Sequence, residues 1–155
     1  MISNASPLIF LSRINQISLL KKLFAAILIT KEIEEEIFVE GKPGIINIAN
    51  AIKDGWIKVV EAKENIPLGI KGGESSVINL ARERKDKLII DDSIAIKIAK
   101  AFDIETIRTI TVIFMAVKKN IISKKEAISL INKLIEVGYY ISPRYYSAIL
   151  TKFSS

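Results

Sequence analysis

The chain has 155 residues, half of them hydrophobic and 26% charged, a balance that excludes a disordered tail and suffices for a hydrophobic core. It contains no cysteine and no histidine, which excludes disulfides, thiolate zinc sites, a histidine general base and every Ser-His or Cys-His nucleophile. The formal net charge of +6 suits a polyanionic partner such as nucleic acid, set against the plainer reading that a lysine surplus keeps the surface soluble.

The chain opens with a short strand at Ile2-Ser3, and Ser6 followed by Pro7 reads as an N-cap and first helical residue. Leu8, Ile9, Leu11 and Ile14 continue at helical spacing, and a second helix covers Ile17 to Phe24. Ile27-Leu28-Ile29 is a buried strand, and Thr30 caps a helix from Lys31 to about Val39. A turn at Gly41-Lys42-Pro43-Gly44 leads to a helix from Ile45 to Lys53, stopped by Gly55. Trp56 to Val60 is the next strand, and a loop rich in glycine and proline opens a helix from Glu74 to Arg84. Leu88-Ile89-Ile90 is a strand before a helix from about Ser93 to Phe102, and Glu105 to Ile107 is a further strand. Thr109 caps the helix after it; Ser123 with Glu126, and Ser142 with Pro143, open the last two.

Strands alternating with helices predict an α/β fold with a largely parallel sheet, and the length predicts one domain over residues 1–155. The longest apolar stretches, Phe24 to Ile29 and Val112 to Val117, are too short to cross a bilayer, and no secretory signal is visible. The expected setting is therefore cytoplasmic, with no membrane partner.

The candidate site residues are carboxylates and one amide at strand ends and helix starts. Glu74 shares its helix face with Val77, Ile78 and Ala81, so a charge stands on the core-facing stripe and leans toward the helix start. Its plainer role is to complement the helix dipole. Glu36 borders the stripe of Ile33 and Ile37, with Glu40 in reserve, whereas Glu35 points away; an acidic run on a helix is otherwise a solvated face. Asp91 and Asp92 follow a buried strand, at the end of a parallel sheet where ligands bind. Asp92 fits the N-cap of the next helix, which leaves Asp91 to face the cleft. Asn4 lies at the same end of the first strand. Carboxylates gathered from distant parts of a chain suit a hard cation such as Mg²⁺ or Mn²⁺. The loop Gly69-Ile70-Lys71-Gly72-Gly73 matches no phosphate-binding fingerprint.

On these residues the chain resembles the PIN-domain family, in a small prokaryotic branch related to VapC-like toxin ribonucleases. The matching stretches are Ser3-Asn4-Ala5-Ser6-Pro7-Leu8-Ile9, the acidic helix ending near Glu36, Gly73-Glu74, Leu88-Ile89-Ile90-Asp91-Asp92, and Arg108-Thr109 with the apolar helix behind it. The resemblance implies a three-layer α/β/α sandwich and metal-dependent hydrolysis of RNA, with one or two Mg²⁺ or Mn²⁺ ions. Carried over, Asn4, Glu36, Glu74 and Asp91 or Asp92 form the catalytic set, of which Glu36, Glu74, Asp91 and Asp92 bind metal. It further implies an RNA substrate, a cognate antitoxin and a homodimer. Asn4 replaces an acidic residue, and Arg108 stands where relatives often carry glycine, able to hold a phosphate or fill the metal position. The alternative is a degenerate PIN fold that binds RNA or protein without cleaving it.

Overall fold

The computed structural model describes residues 1–39, 41 and 44–154. Five short strands, β1 (Ile2–Ser3), β2 (Ile27–Ile29), β3 (Ile57–Val59), β4 (Leu88–Ile89) and β5 (Thr106–Ile107), make one parallel sheet in the order β3-β2-β1-β4-β5. Ile2 is in register with Leu28 on one side and Leu88 on the other, so the first strand of the chain is the central one. Every neighbour runs parallel, and each connection must cross back over the sheet, which is why the strands alternate with helices. Ile2, Ile27, Ile29, Ile57, Leu88 and Ile89 are buried, as unbroken apolar strands covered on both faces require.

The helices are α1 (Ala5–Arg13), α2 (Ser18–Phe24), α3 (Lys31–Val39), α4 (Ile45–Lys53), α5 (Gly72–Arg84), α6 (Ser93–Ala101), α7 (Thr109–Lys118), α8 (Lys124–Glu136) and α9 (Pro143–Phe153). Together with the sheet they form the α/β/α sandwich expected from the alternation. Val77, Ile78 and Ala81 of α5 are buried, as are Ile33 and Ile37 of α3, so both stripes face inward as their spacing predicts. Thr30, Ser123 and Ser142 accept from the backbone N–H of Ile33, Glu126 and Tyr145, the caps that the sequence announces. Gly55 ends α4 at φ +85°, where a side chain would be strained.

Three helix starts differ from expectation. Asn4, not Ser6, is the N-cap of α1; Ser6 is exposed, and Pro7 occupies the third helical position, where its missing N–H costs no intrahelical bond. α5 begins at Gly72, so Glu74 is its third residue. Arg108 precedes α7, and Thr109 is its first residue with its side chain turned to another task. Glu40, Lys42 and Pro43, in which the reserve carboxylate and the turn were expected, lie outside the described residues.

Candidate functional site

From β1 the chain crosses to β2 on one side and, later, to β4 on the other, so the crevice beyond the carboxyl ends of β1 and β4 is the topological switch point. Asn4 leaves β1 there, and its backbone N–H donates to the carbonyl of Ile89 (3.0 Å). Asn4 is 6% exposed, and its Oδ1 is buried with no hydrogen-bond donor. An orphaned buried acceptor costs stability, and the Ser12 hydroxyl of α1 shares this status among the described residues.

Two helices bring carboxylates to this crevice. The Thr30 hydroxyl shares a 2.6 Å hydrogen bond with that of Ser76, and Ser76 donates to the carbonyl of Gly73 (2.7 Å). This clasp fixes the start of α3 against the start of α5. Beside it, a Cβ on Gly73 would lie 2.6 Å from Glu36 Oε2 and 3.2 Å from Ile33 Cδ1. A side chain here would displace the Glu36 carboxylate, the far end of a flexible side chain that comes close to the backbone. Glu74 follows directly and is partly buried. Burial pushes its carboxyl above the usual range, as does the charge and hydrogen bonding of Asp92; Lys71 pulls it down, and Glu36 adds to the rise. Asp92 and Glu36 thus both act on Glu74, although among the described residues no three acidic side chains stand close enough to enclose an ion.

The two adjacent aspartates have different surroundings. Asp92 caps α6, its Oδ2 accepting from the N–H of Ala95 (2.9 Å), as anticipated. Asp91 does not hold its carboxylate free for the crevice, as its place in the sequence suggests. Its Oδ1 accepts from the N–H of Thr109 (3.0 Å) and the hydroxyl of Tyr139 (2.7 Å), and its Oδ2 accepts from the Thr109 hydroxyl (2.6 Å). The hydroxyl of Tyr139 is pushed far up by burial and by the charge of Asp91, so it remains a donor. Asp91 joins β4 to α7 and to Tyr139, three residues past the end of α8, and Asp92 is the one of the two aspartates whose charge acts on Glu74. Arg108 does not lie among the carboxylates as an ion pair; its Nη1 donates to the backbone carbonyl of Asp91 (2.9 Å). Gly73, Ser76 and Tyr139 were not singled out from the sequence. Tyr139 is 48 positions from its partner, and no local pattern marks it.

A family model described as DUF3368, a PIN domain, matches residues 1–155. The chain belongs to the PIN-domain family. Members of that family are generally nucleases. A PilT N-terminus domain protein, SSO1118, from the hyperthermophilic archaeon Sulfolobus solfataricus P2, is similar to this PIN domain at 19% identity and a TM-score of 0.43, over 72% of this chain and 90% of that one. No curated protein matches. No described helix is long and apolar enough to cross a membrane.

The polar side chains at these strand ends and helix starts are oxygen donors: the amide of Asn4 at the end of β1, and the carboxylates of Glu74 and of Glu36 and Asp92, which act on it. With no histidine or cysteine in the chain, such a donor set fits Mg²⁺ or Mn²⁺ and not a softer metal.

Proposed function

We propose that this PIN-domain protein is a metal-dependent ribonuclease hydrolysing RNA phosphodiesters, and the toxin of a VapC-like toxin–antitoxin pair. The observation that carries the reading is Glu74, whose carboxyl is driven up by burial and by the charges of Asp92 and Glu36. A carboxyl raised by neighbouring negative charge is relieved by a cation bound beside it. The buried, donorless Oδ1 of Asn4 supports the same reading, because an amide oxygen is an acceptable ligand for a hard cation. Asn4, Glu36, Glu74 and Asp92 would hold the ion. Glu36 is exposed and would move furthest to close on it.

When bound, the ion would neutralise the phosphate and make water a better nucleophile. The protein's own residues contribute position. Asp92 gives Oδ2 to the cap of α6 and keeps Oδ1 for the site. Asp91 holds the turn that presents Asp92, and the Thr30–Ser76 clasp holds the helix starts that carry Glu36 and Glu74. An antitoxin protein, a homodimer and a cytoplasmic setting belong to this reading through the family resemblance, and the net charge of +6 suits an RNA substrate.

The test is Mn²⁺-dependent cleavage of single-stranded RNA. Glu74→Gln is expected to abolish it, and equal cleavage by that variant would put the chemistry at a different site. The rival reading, a PIN fold that binds without cleaving, draws on the missing charge at Asn4. Asn4→Asp is nearly isosteric and separates the two. At ~4 Å and an effective dielectric of ~20 the added charge attracts a unit cation by about 4 kcal/mol before desolvation, much of which burial cancels. We expect Mn²⁺ to bind roughly tenfold more tightly by calorimetry, about 1.4 kcal/mol, with faster cleavage at limiting metal. Unchanged affinity, together with a silent Glu74→Gln, would favour the binding module.

A further inference from the structure

The cations at the crevice differ in how they are engaged. Lys71, the residue before α5, has its charge directed at Glu74 and lowers that carboxyl. Arg108 pairs with no carboxylate among the described residues. The nearest carboxylate in the network, that of Asp91, already accepts from Thr109 and Tyr139, so the guanidinium is left with the Asp91 carbonyl. Its backbone is fixed as well, the Arg108 N–H donating to the Thr111 hydroxyl (3.3 Å). A guanidinium has five N–H donors, and one is used here.

This placement is unfavourable for stability alone. The residue before a helix is best as Ser, Thr, Asp or Asn, and a cation there opposes the helix dipole. Arg108 is exposed, yet it is held at both its backbone and its head group. The carbonyl it grips belongs to the residue before Asp92, so the guanidinium is anchored to the turn between β4 and α6 while pairing with no carboxylate among the described residues. A planar fork of unused donors, exposed and pre-positioned, is the geometry that takes two oxygens of a phosphate.

We propose that Arg108 is a phosphate-binding residue of this site, seating a phosphodiester of single-stranded nucleic acid at the turn between β4 and α6 that carries Asp91 and Asp92. The inference rests on the nuclease reading and deepens it, by giving the substrate backbone a second point of attachment that needs no metal. It makes binding of the strand separable from its cleavage.

The experiment measures binding alone. Fluorescence anisotropy of a short labelled single-stranded RNA, and of the DNA of the same sequence, is recorded with EDTA over a series of salt concentrations. The proteins are the full chain, Arg108→Gln, Arg108→Lys and Lys100→Gln; Lys100 is exposed in the last turn of α6, at the end of that helix away from Asp92. Loss of one phosphate contact lowers the slope of log affinity against log salt by about 0.7 for a single strand. Arg108→Gln is expected to show that drop with several-fold weaker binding, Lys100→Gln much less, and Arg108→Lys the unchanged slope with reduced affinity. A thermal melt establishes that each variant is folded, and Arg108→Lys keeps the test sound if Arg108→Gln is not. A drop on RNA, with or without one on DNA, supports the proposal. An Arg108→Gln slope equal to wild type or to Lys100→Gln, or no binding of either strand by the wild type, overturns it. The nuclease reading falls separately, on cleavage that persists in Glu74→Gln.

Discussion

The crevice has two walls built on different principles. On the β4–β5 side, Asp91 draws together Thr109, Tyr139 and Arg108 through four hydrogen bonds between 2.6 and 3.0 Å. Tyr139 in turn packs edge-on against Phe10 of α1, with ring centroids 5.2 Å apart. On the α3–α5 side the helices are tied by the hydroxyl clasp of Thr30 and Ser76, Glu74 interacts with Asp92 and Lys71, and Glu36 itself is exposed. One wall is assembled before any ligand arrives, whereas the other carries a side chain still able to move. The polar surroundings separate them too: Asp91 is satisfied by donors, while Glu74 is partly buried with Asp92 and Glu36 acting against its charge and Lys71 acting for it.

Breaking the assembled wall has the largest effect expected. Asp91→Ala leaves the Tyr139 hydroxyl and the Thr109 N–H without their acceptor, in surroundings that are largely buried. Chemical denaturation should show a loss of about 3 kcal/mol, and Tyr139→Phe a smaller loss of about 1 kcal/mol. A double-mutant cycle should show that the two are not additive. Glu36→Ala on the other wall is expected to change stability by less than about 0.5 kcal/mol; a cost equal to that of Asp91→Ala would erase the contrast.

Gly73→Ala probes the mobile wall directly. The new methyl group meets the far end of a flexible glutamate, which can swing away, and Ile33 Cδ1, which need yield only a few tenths of an ångström. The fold should therefore lose no more than about 1 kcal/mol, while Mn²⁺ affinity falls several-fold because Glu36 is displaced. Unchanged affinity would remove Glu36 from the ligand set.

The smallest effect expected is a gain. The folded Glu74 carboxyl is raised by burial and by Asp92 and Glu36, so the folded state holds this proton more tightly than the unfolded chain. Its favourable contribution is then fully present below the ordinary glutamate range and is lost as pH rises through the raised value. In a chelator, Glu74→Gln should flatten this slope and melt slightly above the parent at neutral pH. A parent whose melting temperature rose across that window by virtue of Glu74 would contradict the sign.

Much of this arrangement can be read from the sequence because its causes are local. The stripes of α3 and α5, the apolar strands, and the caps at Thr30, Asp92, Ser123 and Ser142 depend on neighbours within a few residues. Glu74 was legible for the same reason, as a charge on an apolar face. The allocation of Asp91 and Asp92 was only half legible. The cap depends on Ala95, three residues away, but the partners of Asp91 are 18 and 48 residues away, and no spacing rule reaches them. The same holds for Gly73, whose close neighbour is Glu36 on another helix. Asn4 displaced Ser6 as the cap of α1 because Pro7 fits the third helical position as well as the first, a degeneracy that sequence alone does not break.

The central position of β1 has a consequence for how the molecule is made. Ile2 pairs with Leu88, and Asn4 donates to Ile89 across 85 residues of chain. At a synthesis rate of about 5–20 residues per second, the first strand leaves the ribosome roughly 4–17 seconds before its second neighbour exists. During that interval an apolar strand has an open edge on the side that β4 will cover. The hydrogen bond from Asn4 to Ile89 forms only when β4 docks, so an arrested or truncated nascent chain carries no assembled crevice, and any nucleolytic capacity would appear late and in one step.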